Sequence, residues 1–160
     1  MPDMLVKLYD LPDYAPACAV CAEANIIIRR AMAPDKHRVL EAVRRISGEC
    51  AAGECDVCFA HTPVSCFVAT RGKEILGYAC YNSTAPDFFG PTALQADERG
   101  HGVGKALLLR SLAALHDEGY AYAIIGGVGP AEFYTKCVGA TIIPDSTPGI
   151  YKDFIHTLAE

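Results

Sequence analysis

The chain has 160 residues, a formal net charge of −5 and a hydrophobic fraction of 51%. This length fits one domain around one hydrophobic core, and the composition is that of a globular protein. The acidic balance and the lack of a basic stripe exclude an ordinary nucleic-acid surface and mildly favour a cationic small substrate. The N-terminus lacks a secretory signal pattern, and no apolar run reaches the roughly 18 residues of a membrane span. We therefore expect a cytoplasmic protein with no membrane partner.

Residues 1–24 have a mixed pattern in which Pro12 and Pro16 break any long helix. We treat them as an N-terminal segment that packs on a single domain formed by residues 25–160. Three roles are open for this segment: covering the core, forming a contact in a homodimer, or closing over a site.

The first half of the domain predicts strands and helices from local signals. Residues 25–32 have the branched side chains of a strand, and residues 34–48 have the periodicity and end signals of an amphipathic helix. The cysteine-rich, acidic residues 49–61 predict a short helix and a loop. Residues 64–70 and 74–81 predict a hairpin, because two strand patterns flank a glycine-containing turn.

The second half predicts alternating strands and helices. Its elements are a strand at 88–96, a helix at 103–118, a strand at 120–126, a helix at 130–137 and strands at 140–143 and 149–158. Gly90-Pro91 interrupts the first of these strands and indicates a bulge or an edge. A hairpin followed by alternating strands and helices predicts an α/β fold with a mixed sheet.

The sequence RGHGVG, residues 99–104, lies between a predicted strand and a long leucine-rich helix. Its spacing fits neither the nucleotide P-loop nor the dinucleotide-binding fingerprint. A helix start lined with glycines leaves backbone N–H groups free and lets a phosphate approach them closely. Since Arg99 and Lys105 add cationic groups, we interpret residues 99–104 as a phosphate-binding glycine loop rather than a plain turn.

The glycine loop and its surroundings resemble the GCN5-related N-acetyltransferases, the GNAT family. Residues 99–104 match the family signature Gln/Arg-x-x-Gly-x-Gly/Ala, and the order strand, loop, long helix, strand and tyrosine-bearing helix matches over about residues 25–158. The resemblance implies a twisted mixed sheet of about six to seven strands with helices on both faces. It also implies an acyltransferase that moves an acetyl group from acetyl-CoA to the amine of an unidentified small-molecule acceptor.

The resemblance also implies where acetyl-CoA binds. The loop backbone would hold the pyrophosphate, the preceding strand would pair with the pantetheine arm, and a backbone N–H near Leu94 would polarise the thioester carbonyl. The thioester itself would lie where this strand and the strand 120–126 splay apart. The cofactor residues assigned in this way are Leu94, Gln95, Ala96, Arg99, Gly100, His101, Gly102, Val103, Gly104 and Lys105.

Tyr134 is the catalytic residue that the resemblance implies, because a tyrosine on the matching helix commonly protonates the departing thiolate. Gly139 follows it by five residues, where the family pattern usually has four. That offset and the lack of an assigned base keep a second hypothesis open, a CoA-binding regulatory protein without turnover. A water chain is one source of the base; the candidate side chains are Asp87, Glu54, Asp56 and Tyr81.

An acidic group within residues 49–61 favours a cationic acceptor, and a solvated loop is the alternative interpretation. Its members are Glu49, Glu54 and Asp56.

Cys18-x-x-Cys21 and Cys55-x-x-Cys58, with Cys50 nearby, have the pair spacing of zinc ligands. The 33 residues between the pairs exceed the usual spacing, and buried thiols also behave as small hydrophobes. We therefore expect no metal and keep a zinc-binding or redox module as a third hypothesis. The cysteines expected in the core are Cys66, Cys80 and Cys137.

Overall fold

The structure is a computed structural model, and residues 1–155 are described. The strands are β1 (Met4–Lys7), β2 (Ile27–Arg30), β3 (Cys66–Arg71), β4 (Glu74–Tyr81), β5 (Phe88–Leu94), β6 (Tyr122–Ile125) and β7 (Thr141–Ile142). The α-helices are α1 (Ala15–Glu23), α2 (Lys36–Ser47), α3 (Glu49–Cys58), α4 (Val103–Asp117) and α5 (Ala131–Val138). Among residues 1–155, none of the helices is long and apolar enough to span a bilayer.

All seven strands form one sheet in the order β2-β3-β4-β5-β6-β1-β7. Among the described residues, β5 and β6 form the parallel pair, and every other pair of neighbouring strands is antiparallel. A parallel pair needs a crossover connection, and α4 supplies it. The predicted fold class, a mixed α/β sheet of six to seven strands, is confirmed.

Helices cover both faces of the sheet. Side chains along each strand point alternately to opposite faces, so each strand contributes apolar residues to a core on either side. Phe67 on β3 and Tyr81 on β4 belong to the core beneath α1, α4 and α5. Val68 and Cys80, the adjacent residues on the same strands, belong to the core beneath α2 and α3. The leucines of α4 are almost completely buried, which explains the nearly continuous apolar pattern of that helix.

The N-terminal residues form part of the sheet. Strand β1 lies between β6 and β7 and pairs antiparallel with both. Pro16 lies in the first turn of α1, where its missing N–H breaks no intrahelical hydrogen bond, so it starts a helix instead of breaking one. The division that we expected between residues 1–24 and 25–160 therefore does not follow the sheet, which includes both.

The predicted strand at residues 149–158 is wrong in its described part. Gly149–Tyr151 forms a single 3-10 turn, and residues 152–155 form no strand. Gly149 has a φ of 62°, in the left-handed region, which an extended strand does not use. Residues 156–158 of this prediction lie outside the described residues.

The two Cys-x-x-Cys motifs lie on opposite faces of the sheet, so a zinc site shared between them is excluded. Cys21 on α1 packs in the core beneath α4, whereas Cys55 and Cys58 on α3 pack in the other core. Cys66 and Cys80 are buried as expected. Cys137 is only partly buried.

Gly77 on β4 lies opposite Leu94 on β5, at a point where a side chain has no space. A Cβ atom at Gly77 would lie 2.3 Å from Cδ2 of Leu94 and 3.0 Å from the carbonyl oxygen of Ala93. Overpacking of this kind costs about 1–3 kcal/mol. We expect Gly77→Ala to lower the free energy of unfolding by that amount in urea denaturation.

The matched control is Leu94→Ala, which removes the atom nearest to the added Cβ. The double variant Gly77→Ala/Leu94→Ala should lose less stability than the two single variants summed, because its two changes compensate each other. Strictly additive losses would contradict direct contact between the two positions.

Candidate active site

A cleft of about 760 Å³ opens where β5 and β6 separate. The two strands pair only through Phe88 with Ile124 and Phe89 with Ile125. Beyond Phe89, β5 stays paired with β4, while residues 126–130 lead the chain from β6 to α5. From Gly90 onward, the second edge of β5 therefore has no strand partner among the described residues.

Five parts of the chain line this cleft. They are the N-terminal Met1, the α3 residues Cys50 and Glu54, residues 89–92 of β5, residues 125–130 with Tyr134, and a C-terminal group of Thr147, Pro148, Tyr151, Lys152 and Phe154. The cleft thus joins the open edge of β5 to side chains from both faces of the sheet.

The predicted irregularity at Gly90-Pro91 is present. The register between β4 and β5 shifts between Ala79 and Tyr81, and Gly90 has a φ of 122°. Bulges bend a strand and re-aim its backbone groups. Here the bulge lies where β6 leaves β5, so both strands change course at the mouth of the cleft.

Tyr134 on α5 brings a phenol to the cleft wall. Its side chain is 6% exposed and packs edge-on against Phe89 and Phe133, with ring centroids 6.3 and 5.1 Å away. Burial, with a smaller effect from Cys137, raises the pKa of Tyr134 to about 12. The phenol therefore keeps its proton at neutral pH and can donate it.

Gly139, five residues after Tyr134, ends α5. It has a φ of 65°, and its N–H donates to the carbonyl of Thr135 at 2.9 Å. The N–H of Ala140 donates to the carbonyl of Tyr134 at 3.4 Å. The additional residue relative to the family pattern is thus accommodated by an ordinary glycine helix end.

The glycine loop connects a 3-10 turn, Ala96–Glu98, to the start of α4. Gly100 and Gly102 have φ values of 85° and 81°, which a side chain disfavours. Within residues 1–155, no side chain caps α4, and the N–H of Ala106 donates to the carbonyl of Gly102 at 3.1 Å. The N–H groups of the preceding first turn, residues 103–105, have no partner inside the helix and are available to an anion.

Gly104 has a different role from the two earlier glycines. Its φ is not in the left-handed region, and an added Cβ would meet Phe133 at 3.7 Å and Leu94 at 3.8 Å, both ordinary contacts. Its missing side chain keeps the helix start bare beside Leu94, at the end of the open β5 edge.

The turn before the glycine loop is anchored to β3. The guanidinium of Arg71 donates two hydrogen bonds to the carboxylate of Glu98, at 2.9 and 3.2 Å. This pairing lowers the pKa of Glu98, so the carboxylate stays ionised at neutral pH. The anchor fixes the end of β5 and the start of the loop relative to the sheet.

The remaining predicted cofactor residues lie along the same path. Gln95 is tied to β4, because its N–H donates to Leu76 at 2.8 Å and its amide donates to Ile75 at 3.1 Å. Lys105, with Gly102, also lines a smaller cleft of about 450 Å³ beside α1. The structure thus places all ten predicted residues between the end of β5 and the first turn of α4, and three carry exposed basic side chains: Arg99, His101 and Lys105.

Among the four candidate bases, Glu54 is the one that lines the cleft. Its carboxylate accepts a hydrogen bond from the hydroxyl of Thr84, and its backbone carbonyl accepts one from Ser83. Its charge also acts on Tyr151 across the cleft, where burial first and the Glu54 charge second raise the pKa of the phenol. Glu54 is therefore fixed in place and faces the cavity.

The other three candidates lie elsewhere. Asp56 is ion-paired with Lys36 at 2.9 Å on the exposed side of α3. Tyr81 is 2% exposed, and its hydroxyl accepts a hydrogen bond from Arg30. Asp87 precedes β5, at the end remote from the glycine loop; burial first, and then the charge of Glu118, raise its pKa to about 6.

Asp3 is a structural element of the cleft that sequence analysis missed. Its carboxylate accepts the N–H of Gly127 at 2.8 Å, and its own N–H donates to the hydroxyl of Ser146 at 2.8 Å. It thereby ties residues 126–130 to the segment before Tyr151. Both contacts join positions more than a hundred residues apart, so no local pattern indicates them.

The part of the chain that contains the cleft strands and the glycine loop matches a known protein family. A sequence model of the acetyltransferase (GNAT) family matches residues 32–139. The chain belongs to the GNAT family. The matched range of this GNAT protein contains β5, the glycine loop and Tyr134.

Solved structures share this fold. A GCN5-related glucosamine N-acetyltransferase region of a fungal multi-domain GH3 β-N-acetylglucosaminidase has a TM-score of 0.72 at 12% identity, over 89% of this chain and 19% of that chain. A GCN5-related N-acetyltransferase from Sphaerobacter thermophilus has a TM-score of 0.63 at 18% identity, over 89% and 48%. A Drosophila protein has a TM-score of 0.63 at 15% identity, over 89% and 47%.

The chain therefore spans about a fifth to a half of the length of these structures. At these identities the likeness shows the fold alone. A search of curated protein sequences finds no match.

The left-handed conformation of the glycine loop predicts a stability effect of known sign. No atom of the described residues lies within 4 Å of a Cβ added by Gly102→Ala, so the effect comes from backbone conformation. An L-residue in this region costs about 1–2 kcal/mol. We expect the free energy of unfolding to fall by that amount in urea denaturation.

Gly53 on α3 is the matched control, because it is exposed, has no positive φ and, in the part of the chain that the structure describes, has no atom within 4 Å of an added Cβ. Gly53→Ala should raise the free energy of unfolding by about 0.5–1 kcal/mol, the usual gain from replacing a helical glycine. Effects of the same sign at the two positions would contradict the assigned loop conformation.

Proposed function

We propose that this GNAT protein transfers the acetyl group of acetyl-CoA directly to an amine. The proposal rests on two surfaces that follow each other along the chain. The unpaired edge of β5 is connected by a 3-10 turn and the glycine loop to the start of α4, which no side chain of the described residues caps. The first surface offers backbone donors and acceptors to an amide-containing arm, and the second offers N–H groups to a diphosphate.

In this proposal acetyl-CoA, the co-substrate, lies along both surfaces. The main chain of residues 94–96 pairs with the pantetheine arm. The backbone of residues 99–104 holds the pyrophosphate, and the positive end of the α4 dipole adds to the attraction. The exposed side chains of Arg99 and Lys105 supply further positive charge around the diphosphate, and the imidazole of His101 lies in the same loop.

The chemistry takes place at the mouth of the cleft, where β5 and β6 separate. The neutral amine attacks the thioester carbonyl carbon, a C–N bond forms, and a backbone N–H near Leu94 stabilises the negative oxygen. The C–S bond then breaks, and the departing thiolate takes the proton of the Tyr134 hydroxyl. The proton that the attacking nitrogen loses passes to the Tyr134 phenolate, directly or through water, and restores the phenol. The products are an amide and CoA.

Glu54 is the proposed base and the feature that selects the acceptor. A primary amine is protonated at neutral pH, so a carboxylate in the cavity wall attracts it and can take its proton. Glu54 lines the cleft opposite the β5 edge, and Asp3 adds a second negative charge beside Tyr151. The acceptor class that fits is a small amine that carries positive charge.

Tyr134→Phe removes the proposed acid and keeps the ring contacts with Phe89 and Phe133. We expect kcat to fall about 10²–10⁴-fold, the usual contribution of a general acid. Stabilisation of the protein by acetyl-CoA in a thermal shift assay should be unchanged. Burial raises the pKa of Tyr134 to about 12, so Tyr134 stays protonated up to about pH 11. At pH values below that, the wild-type kcat should show no decrease caused by loss of this proton.

The control separates binding from turnover. Wild type should be stabilised by acetyl-CoA and by CoA but not by NAD or ATP, and Gly102→Glu should remove that shift by placing a carboxylate in the loop. Binding with no transfer to any amine, and no effect of Tyr134→Phe, would favour a CoA-binding regulatory protein instead. No shift with either CoA species would overturn the cofactor site.

Glu54→Gln should lower kcat/KM for cationic amines about 10²-fold or more, because it removes both the base and the attracting charge. Part of the loss should be recovered at higher pH, where more of the amine is already neutral. Initial rates over a pH series with a cationic and an uncharged amine measure both effects.

Glu49→Gln on the same helix is the matched control. Glu49 is exposed, ion-paired with Arg44 at 2.7 Å and outside the cleft, so its loss should leave the rate unchanged. Equal losses in the two variants would contradict the assignment of Glu54.

A further inference from the structure

Four of the eight cysteines converge beneath α3, on the face away from α4. Cys55 and Cys58 lie one turn apart on the buried side of α3, and Cys66 and Cys80 are direct cross-strand partners on β3 and β4. All four side chains are 0% exposed. We call these residues the thiol cluster.

Three of the four sulfur atoms of the thiol cluster are close enough to share one ion, and the fourth, that of Cys58, lies beside them. The Sγ atoms of Cys55, Cys66 and Cys80 all lie within 4.8 Å of one another, and the thiol of Cys58 interacts with Cys55 and Cys80. With Zn–S bonds of about 2.3 Å, neighbouring sulfurs of a tetrahedral site are about 3.8 Å apart. Closing the sulfurs of Cys55, Cys66 and Cys80 by about 1 Å, and turning the Cys58 side chain toward them, would therefore complete a tetrahedron.

The thiol of Cys66 donates to the carbonyl of Phe67 at 3.7 Å, and two hydrogen-bond donors beside the thiol cluster are placed to bond thiolates. The hydroxyl of Ser65 is buried without a well-formed hydrogen bond among the described residues, and it lies beside Cys58. The backbone of Ala79 interacts with the Cys66 sulfur. Metal-bound thiolates accept such bonds, and a buried unpaired hydroxyl is otherwise costly.

Helix α3 contacts the core through small side chains. The residues that it buries are small, namely Ala51, Ala52, Cys55 and Cys58. Small side chains bury little apolar area, so they hold a ten-residue helix only weakly against a sheet. A crosslink through two of them would fix the helix in place.

We propose that Cys55, Cys58, Cys66 and Cys80 bind one zinc ion as four thiolates and thereby attach α3 to β3 and β4. Binding releases the four thiol protons and changes no oxidation state. Four protein ligands close the coordination sphere, so the ion has a structural and not a catalytic role. This proposal stands on the thiol cluster alone and is independent of acetyl transfer.

The first experiment measures metal in the whole chain, purified under reducing conditions without chelators. Elemental analysis should give one zinc per chain. Cys66→Ser and Cys80→Ser should each lose most of it, whereas Cys18→Ser, Cys21→Ser and Cys137→Ser, which lie outside the thiol cluster, should keep it. Retention of zinc in Cys66→Ser and Cys80→Ser would overturn the proposal.

A second measurement on the unaltered protein avoids variants that fail to fold. Replacement of the metal with Co²⁺ should give a thiolate-to-cobalt charge-transfer band and the strong ligand-field bands of a tetrahedral site. Absence of both zinc and the cobalt bands, with all eight thiols reduced, would overturn the proposal. Iron with labile sulfide, or a mass lower by two hydrogens for a disulfide between cluster cysteines, would overturn it in favour of those structures.

Discussion

The parallel pairing of β5 with β6 ends after two residue pairs, and the candidate site depends on where it ends. In a strand–helix–strand unit, the helix starts at the carboxyl end of the first strand. The unpaired edge of β5 and the free N–H groups of α4 therefore face the same end of the sheet. Because β5 and β6 separate after two residue pairs, an unpaired strand edge lies beside the free N–H groups of α4. Backbone groups alone form both of these surfaces.

Charge is distributed unequally between the two ends of this arrangement. Exposed basic side chains surround the glycine loop, where the proposed diphosphate would lie. At the other end, Glu54 and Asp3 act on Tyr151, and Asp3 fixes the backbone of Gly127. Since attraction depends on sign, an anionic cofactor and a cationic acceptor would each be drawn to a different end. In the proposed ternary complex, the diphosphate of the cofactor would thus lie at the glycine loop and the cationic acceptor at the Glu54 end of the cleft.

Sequence patterns predicted those elements whose signals are local. The hairpin, α2, α4 and the glycine loop each carry their own periodicity, caps or turn residues. The 3-10 turn at Gly149–Tyr151 was not predicted. The apolar residues of this segment indicated a strand, and the pattern does not reveal that Gly149 has a positive φ. The roles of Asp3 and Tyr151 were also missed, since they depend on contacts between distant parts of the chain. The cofactor residues and Tyr134 came from the family resemblance, and their roles remain predictions.

The thiol cluster shows why such contacts escape a sequence pattern. A regular two-residue hairpin that opposes Arg71 with Glu74 would place Cys66 opposite Ala79. The register shifts by one residue between Thr70 and Ala69, and only this shift brings Cys66 opposite Cys80. The bulge thus pairs the two strand thiols beneath α3. Because Cys55 directly follows Glu54, a crosslink there would also hold the acidic wall of the cleft, so the same bulge would determine how firmly the proposed base is positioned.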